Sequence, residues 1–190
     1  MLILVRHGRT AANAGGLLQG RLDLSLDDVG RRQAREVAAA IGSVDVVITS
    51  PLARAVETAQ EFGVDYRVDE RWLELDYGTF DGLKLSEVPT EMWNGWRRDP
   101  GYAPPEGESM RSLDVRVRDA CDEALAIARD RDVVIVSHVS PIKAAVAWAL
   151  GADVQMAFRC HLEQAGVCRV VAGPSGPVLR SFNEVLYTRD

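Results

Sequence analysis

Met1-Leu2-Ile3-Leu4-Val5-Arg6-His7-Gly8 is an apolar run that stops abruptly at a cation, an imidazole and a glycine. Leu2 to Val5 are apolar at odd and even positions alike, which suits a strand buried on both faces of a parallel sheet better than a half-exposed edge strand. Ligands of open α/β sheets gather at the carboxyl ends of the strands. There Arg6 offers a planar guanidinium for two oxygens of a phosphoryl or carboxylate group. His7 offers a nucleophile or base, and Gly8 is expected to let the backbone approach a ligand closely.

The same pattern returns far along the chain, where Asp132-Val133-Val134-Ile135-Val136-Ser137 runs straight into His138. Equivalent ends of parallel strands share one edge of the sheet, so His7 and His138 are expected to face one pocket. Between them the chain alternates strands with helices. Thr10 to Asp23 reads as a loop, and Asp27 as the N-cap of a helix that ends near Gly42. Asp45 to Thr49 is a second buried strand, followed by a helix with Ser50 as N-cap and Pro51 at its first position. Glu70 to Pro105 holds three of the four tryptophans and reads as a lid-like insertion at about 70–108, with a short helix near Ser86 to Arg97. A long helix from Ser109 to Arg129 places Leu113, Val117, Cys121 and Ala124 on one face. After His138 come a helix from about Pro141 to Leu150 and two late strands, around 166–172 and 178–182. The expectation is an α/β fold with a mostly parallel sheet, one domain over residues 1–190.

Composition narrows the function. With 47% hydrophobic and 26% charged residues in 190, the chain can bury a core without disulfides. A net charge of −6 argues against nucleic acid or an anionic membrane as partner, while converging arginines can still bind a small anion. Cys121, Cys160 and Cys168 are odd in number and lack C-x-x-C spacing, so neither a disulfide framework nor a zinc site is indicated, and a cytoplasmic setting is expected. The first apolar run is too short for a signal peptide or a membrane span. No cofactor and no metal are expected.

Phosphoryl transfer fits these residues. Its transition state spreads charge over three equatorial oxygens and needs an in-line nucleophile. Arg6 and Arg54 can bind those oxygens, and Asn13 and the amides after His138, beginning with Val139, can add donors. His7 would attack through a neutral ring nitrogen while its other nitrogen is held by a hydrogen bond. The departing alkoxide needs a proton, and Glu70, Glu74, Asp76 and Asp81 all compete to supply it. Nearby arginines favour an ionised acid and an incoming phosphate dianion the protonated one, so the acid is expected to become competent mainly with substrate bound.

The motifs resemble those of the histidine phosphatase superfamily, the phosphoglycerate mutase-like clan. Arg6-His7-Gly8-Arg9-Thr10 with Asn13 is similar to its R-H-G-x-T/S-x-x-N, and Gln19-Gly20-Arg21-Leu22-Asp23 to its Q-G-x-x-D. Ser50-Pro51-Leu52-Ala53-Arg54-Ala55 is similar to S-P-L-x-R-A, Leu73 to Gly82 to the segment that carries the acid, and Ser137-His138 to the second histidine. The resemblance implies a three-layer α/β/α sandwich. It also implies His7 as the phosphorylated nucleophile, Arg6, Arg54 and His138 as the phosphate pocket, Asn13 as a further phosphate contact, and Glu74 as proton donor through the spacing E-x-x-x-G. Arg21 is a further candidate for substrate contact. Many members follow the second histidine with Gly-Gly. Here Val139-Ser140-Pro141-Ile142-Lys143 is similar to the α-ribazole phosphatase and acid phosphatase branch. The compact interval between acid and second histidine favours hydrolysis of a small phosphate monoester over mutase-type transfer or nonenzymatic binding.

Overall fold

The structure, a computed structural model, describes residues 1–188. The strands are β1 (Leu2–Arg6), β2 (Val46–Thr49), β3 (Tyr66–Val68), β4 (Val133–Ser137), β5 (Val167–Gly173) and β6 (Gly176–Glu184). They form one sheet in the order β3-β2-β4-β1-β5-β6, parallel as far as β1 and antiparallel through β5 and β6. The helices are α1 (Ala11–Ala14), α2 (Asp28–Ile41), α3 (Ala53–Gln60), α4 (Thr90–Arg98), α5 (Met110–Ile127) and α6 (Val139–Ala149).

Alternation along the buried strands divides the core in two. Leu2, Leu4, Ile48, Val133 and Ile135 pack on one face with Leu113, Val117 and Cys121 of α5 and Ile142 and Ala145 of α6. Ile3, Val5, Val47, Val134 and Val136 pack on the other with Val37 of α2 and Ala55 and Ala59 of α3. Strands apolar at every position therefore serve two cores at once, which makes the architecture a three-layer α/β/α sandwich. Helix α6 is buried along nearly its whole length, in keeping with its run of alanines.

Local chemistry sets most boundaries. The Asp27 side chain accepts from the amide of Gly30 to start α2, and Gly42, at φ 81°, ends it. Ser109 caps α5 by accepting from the amide of Ser112. Four boundaries differ from the sequence reading. The loop after β1 contains α1, closed by a reciprocal Thr10–Asn13 capping box. Helix α3 starts at Ala53, not Pro51, and α4 starts after Pro89. Helix α6 begins at Val139, because proline is tolerated within a first turn whose amides have no intrahelical partner. Strand β3 was not foreseen; its three residues are all exposed, so no burial pattern marks it. No helix among the described residues is long and apolar enough to cross a membrane.

Candidate active site

Pairing in register brings the two histidines together. Arg6 lies opposite Ser137 where β1 meets β4, so His7 and His138 each follow a matched strand end. Their ring centroids are 5.1 Å apart. Both imidazoles are buried, and burial first, then the charge of Arg54, holds both well below the usual histidine range, so they are neutral near pH 7. His7 Nδ1 lies 2.7 Å from the carbonyl oxygen of Gly8. A carbonyl can only accept, so Nδ1 carries the hydrogen and Nε2 keeps a lone pair. Arg54 Nε approaches that Nε2 at 3.2 Å.

Arg54 is wholly buried, its other two nitrogens donating to the carbonyls of Leu22 and Gly20 at 2.8 and 2.7 Å. Those carbonyls belong to a loop that is itself tied down, since Asp81 accepts from the amides of Gly20 and Leu22, both at 2.7 Å. Arg6 donates to the carbonyl of Leu162 at 2.6 Å. Burial lowers its pKa to about 10, with Glu74 opposing the shift. Beside His7, the buried nitrogens Arg6 Nε and His138 Nδ1 have no hydrogen-bond partner among the described residues. Unused donors beside a neutral nucleophile suit an anion's oxygens.

Ser50 does not cap α3. Its hydroxyl lies 2.7 Å from His138 Nε2 while accepting from the amide of Leu52 at 3.4 Å, so it can donate its own hydrogen to the ring and direct the imidazole proton to Nδ1. The cap of α3 comes from Asp23, which accepts from the amide of Ala53 at 2.7 Å across 30 residues. Gly8 also differs from its reading. A Cβ there would sit 2.4 Å from the carbonyl oxygen of Gly30, so the missing side chain makes room for α2 and not for a ligand.

The competing carboxylates now separate. Asp81 holds the Gly20 loop, Asp76 accepts from the amide of Gly78, and Glu70 starts a short 3₁₀ turn. Glu74, only 4% exposed, is the one of the four that lines the cavity with His7. One of its oxygens accepts from the amides of Leu75 and Ser140 at 2.8 and 3.1 Å, and the other from that of Val139 at 3.1 Å. The amides expected to serve a phosphate are thus engaged by Glu74 at the positive end of α6. The backbone of Glu74 is gripped in turn. Arg116 of α5 donates to the carbonyls of Arg71 and Leu73 at 2.6 and 2.8 Å and to that of Glu74 at 3.4 Å, while Glu108 neutralises it through two 2.8 Å contacts. Gly78, at φ 55°, completes the E-x-x-x-G spacing. A Cβ there would meet the carbonyl of Pro105 at 2.0 Å.

The cavity holds about 310 Å³ and is lined by Arg6, His7, Asn13, Glu74, Tyr77, Trp93 and Val139 among others, and Arg54 and His138 adjoin it through their contacts with His7. Asn13 Oδ1 is committed to the amide of Thr10 at 3.1 Å. Arg21 does not line the cavity and instead faces Glu108 at 3.7 Å. His161 is 76% exposed beside Glu163, and Trp72 and Trp96 are core residues. Ser50 and Asp23, though inside quoted motifs, and Arg116 were not read as site residues, since their partners are distant in sequence. Among the described residues no cluster of His, Cys, Asp and Glu is gathered for a metal ion.

Comparison with known proteins identifies the family. The sequence model of the histidine phosphatase superfamily, branch 1, matches residues 2–185. A bifunctional protein of Mycobacterium tuberculosis is 34% identical over 87% of this chain and 48% of its own length, so the chain spans about half of that relative. Phosphoserine phosphatase 1 of Hydrogenobacter thermophilus is 33% identical over 80% of this chain and 77% of its own. In three dimensions, a phosphoserine phosphatase of Entamoeba histolytica in complex with 3-phosphoglyceric acid superposes with a TM-score of 0.89 and 30% identity, covering 96% of each chain.

Proposed function

Because this chain belongs to the histidine phosphatase superfamily, we propose that it is a phosphoric monoester hydrolase that acts on small phosphate monoesters through a phosphohistidine on His7. The observation that carries the reading is the fixed tautomer of His7, whose Nδ1–H is spent on Gly8 so that a neutral Nε2 is left beside Arg54.

Nε2 attacks phosphorus, the P–O bond to the alcohol breaks, and Glu74 in its protonated form gives the departing oxygen a proton. Arg6, Arg54 and the Nδ1–H of His138 take up the charge on the phosphoryl oxygens, and Asn13 adds a neutral contact. Glu74, now ionised, accepts a proton from water as that water attacks phosphorus. The N–P bond breaks and inorganic phosphate leaves. In the structure Glu74 rests on the α6 amides, so substrate must take over Val139 N–H as the carboxyl turns to its proton-transfer role. Residues 70–108 serve as the lid of this one domain, with Trp93 over the pocket.

The test is a panel of phosphate esters assayed with chelator present, in parallel with 3-phosphoglycerate plus 2,3-bisphosphoglycerate. Stoichiometric phosphate release supports the hydrolase. Isomerisation that outpaces release would make the chain a mutase, and binding without turnover would make it a nonenzymatic relative. Activity restored only by a divalent ion would overturn the metal-free mechanism.

A further inference from the structure

The cavity over His7 has a neighbour. Tyr77, Trp93 and Val139 line both it and a second cavity of about 160 Å³, so the two adjoin across these side chains. The walls of this annexe are chiefly aliphatic and aromatic, Leu75 and Trp96 included, and its one charged lining residue is Lys143, on the turn of α6 after Val139. Tyr77 Oη and Ser140 Oγ, also in the annexe, face each other at 3.4 Å. Among the described residues the Lys143 ammonium takes part in no hydrogen bond or ion pair. Burial disfavours its charge, while Cys160 and Glu74 favour it and Arg6 opposes it.

Lys143 is therefore within electrostatic reach of both the proton-donor candidate and a guanidinium of the phosphate pocket. A cation partly stripped of water in apolar surroundings costs free energy that an anionic group would offset. A cavity of this size accommodates a three-carbon chain or a single ring. One ammonium without a guanidinium fork beside it suits a monoanion.

We propose that the annexe receives the alcohol part of the ester and that Lys143 selects alcohols bearing a carboxylate. This rests on the phosphatase reading above. The experiment compares kcat/KM within two matched pairs, phosphoserine against phosphoethanolamine and 3-phosphoglycerate against glycerol 3-phosphate, in the wild-type protein, Lys143→Met and Lys143→Arg. The wild-type protein is expected to favour the carboxylated member of each pair. That ratio should fall about tenfold in Lys143→Met, mainly through KM, as expected for loss of one charge-assisted hydrogen bond, and recover in part in Lys143→Arg. A ratio unchanged in Lys143→Met overturns the subsite whatever becomes of absolute rates, and leaves the phosphatase standing. Should no ester turn over, the phosphatase reading fails, and calorimetry of the same four compounds with His7→Ala, with and without Lys143→Met, still decides the subsite. Tighter binding of the carboxylated member that depends on Lys143 upholds it, and equal binding within each pair overturns it.

Discussion

The parallel strand ends and the segment from 70 to 108 contribute to one pocket by opposite means. His7, His138 and Ser50 each follow a strand buried in the sheet, and register alone fixes their spacing. The 70–108 segment contains two 3₁₀ turns and one helix, takes no part in the sheet, and positions Glu74 through side chains reaching in from elsewhere, Arg116 above all. In our reading the nucleophile sits on the stiff region and the proton donor on the clamped one.

The sharpest way to break this division is His7→Ala. Phosphate release should fall by at least about 10⁴-fold, since the nucleophile of the covalent step is removed. The acid-labile, base-stable label trapped on quenching should vanish, and a label that persists would move the nucleophile off the strand end. Glu74→Gln comes next, with kcat/KM on alkyl phosphates, which ends at formation of the phosphohistidine, expected to drop about 10²- to 10⁴-fold. The drop should be much smaller on 4-nitrophenyl phosphate, whose leaving group needs no proton. Equal losses on both would place Glu74 in the attack rather than the departure.

Arg116→Met probes the clamp itself. It leaves Glu108 partly buried with only Arg21, 3.7 Å away, as counter-charge and frees three carbonyls, so about 2 kcal/mol of stability should be lost in urea unfolding. Loosening of Glu74 should lower kcat about tenfold, with KM for phosphate esters nearly constant. Unchanged kcat in a folded variant would make Arg116 purely structural. The last test concerns the strand ends. His7 and His138 have folded pKa values depressed below that of the unfolded chain, so the unfolded state binds more protons as pH falls. Stability should hold above about pH 6.5 and decline below it by up to about 1.4 kcal/mol per pH unit for each imidazole, until the folded pKa is reached. Denaturant titrations between pH 7 and 5 read this slope. His138→Asn should halve it, and an unaltered slope would assign the protons elsewhere.

The same contrast explains what could be read from the sequence. Leu2 to Val5 and Val133 to Val136 are apolar at both parities because each strand feeds two cores, and that signal is local. The end-of-strand residues follow directly from it. Glu74 could not be told from Asp76 and Asp81 by its neighbours, because what distinguishes it is amide partners in α6, about 65 residues on. Ser50-Pro51 carries a sound local capping pattern, yet the hydroxyl is taken by an imidazole 88 positions away. Strand β3 lies on the sheet edge with no buried position, so periodicity had nothing to register.

The contact between Gly8 and Gly30 has a mechanical side. A Cβ on Gly30 would stand 2.0 Å from the carbonyl oxygen of Arg9, and one on Gly8 would meet the carbonyl oxygen of Gly30 at 2.4 Å. Two backbones in such contact cannot tilt into one another, so the nucleophile's turn is braced directly against α2. The opposite wall is held differently, by ion pairs at Glu108.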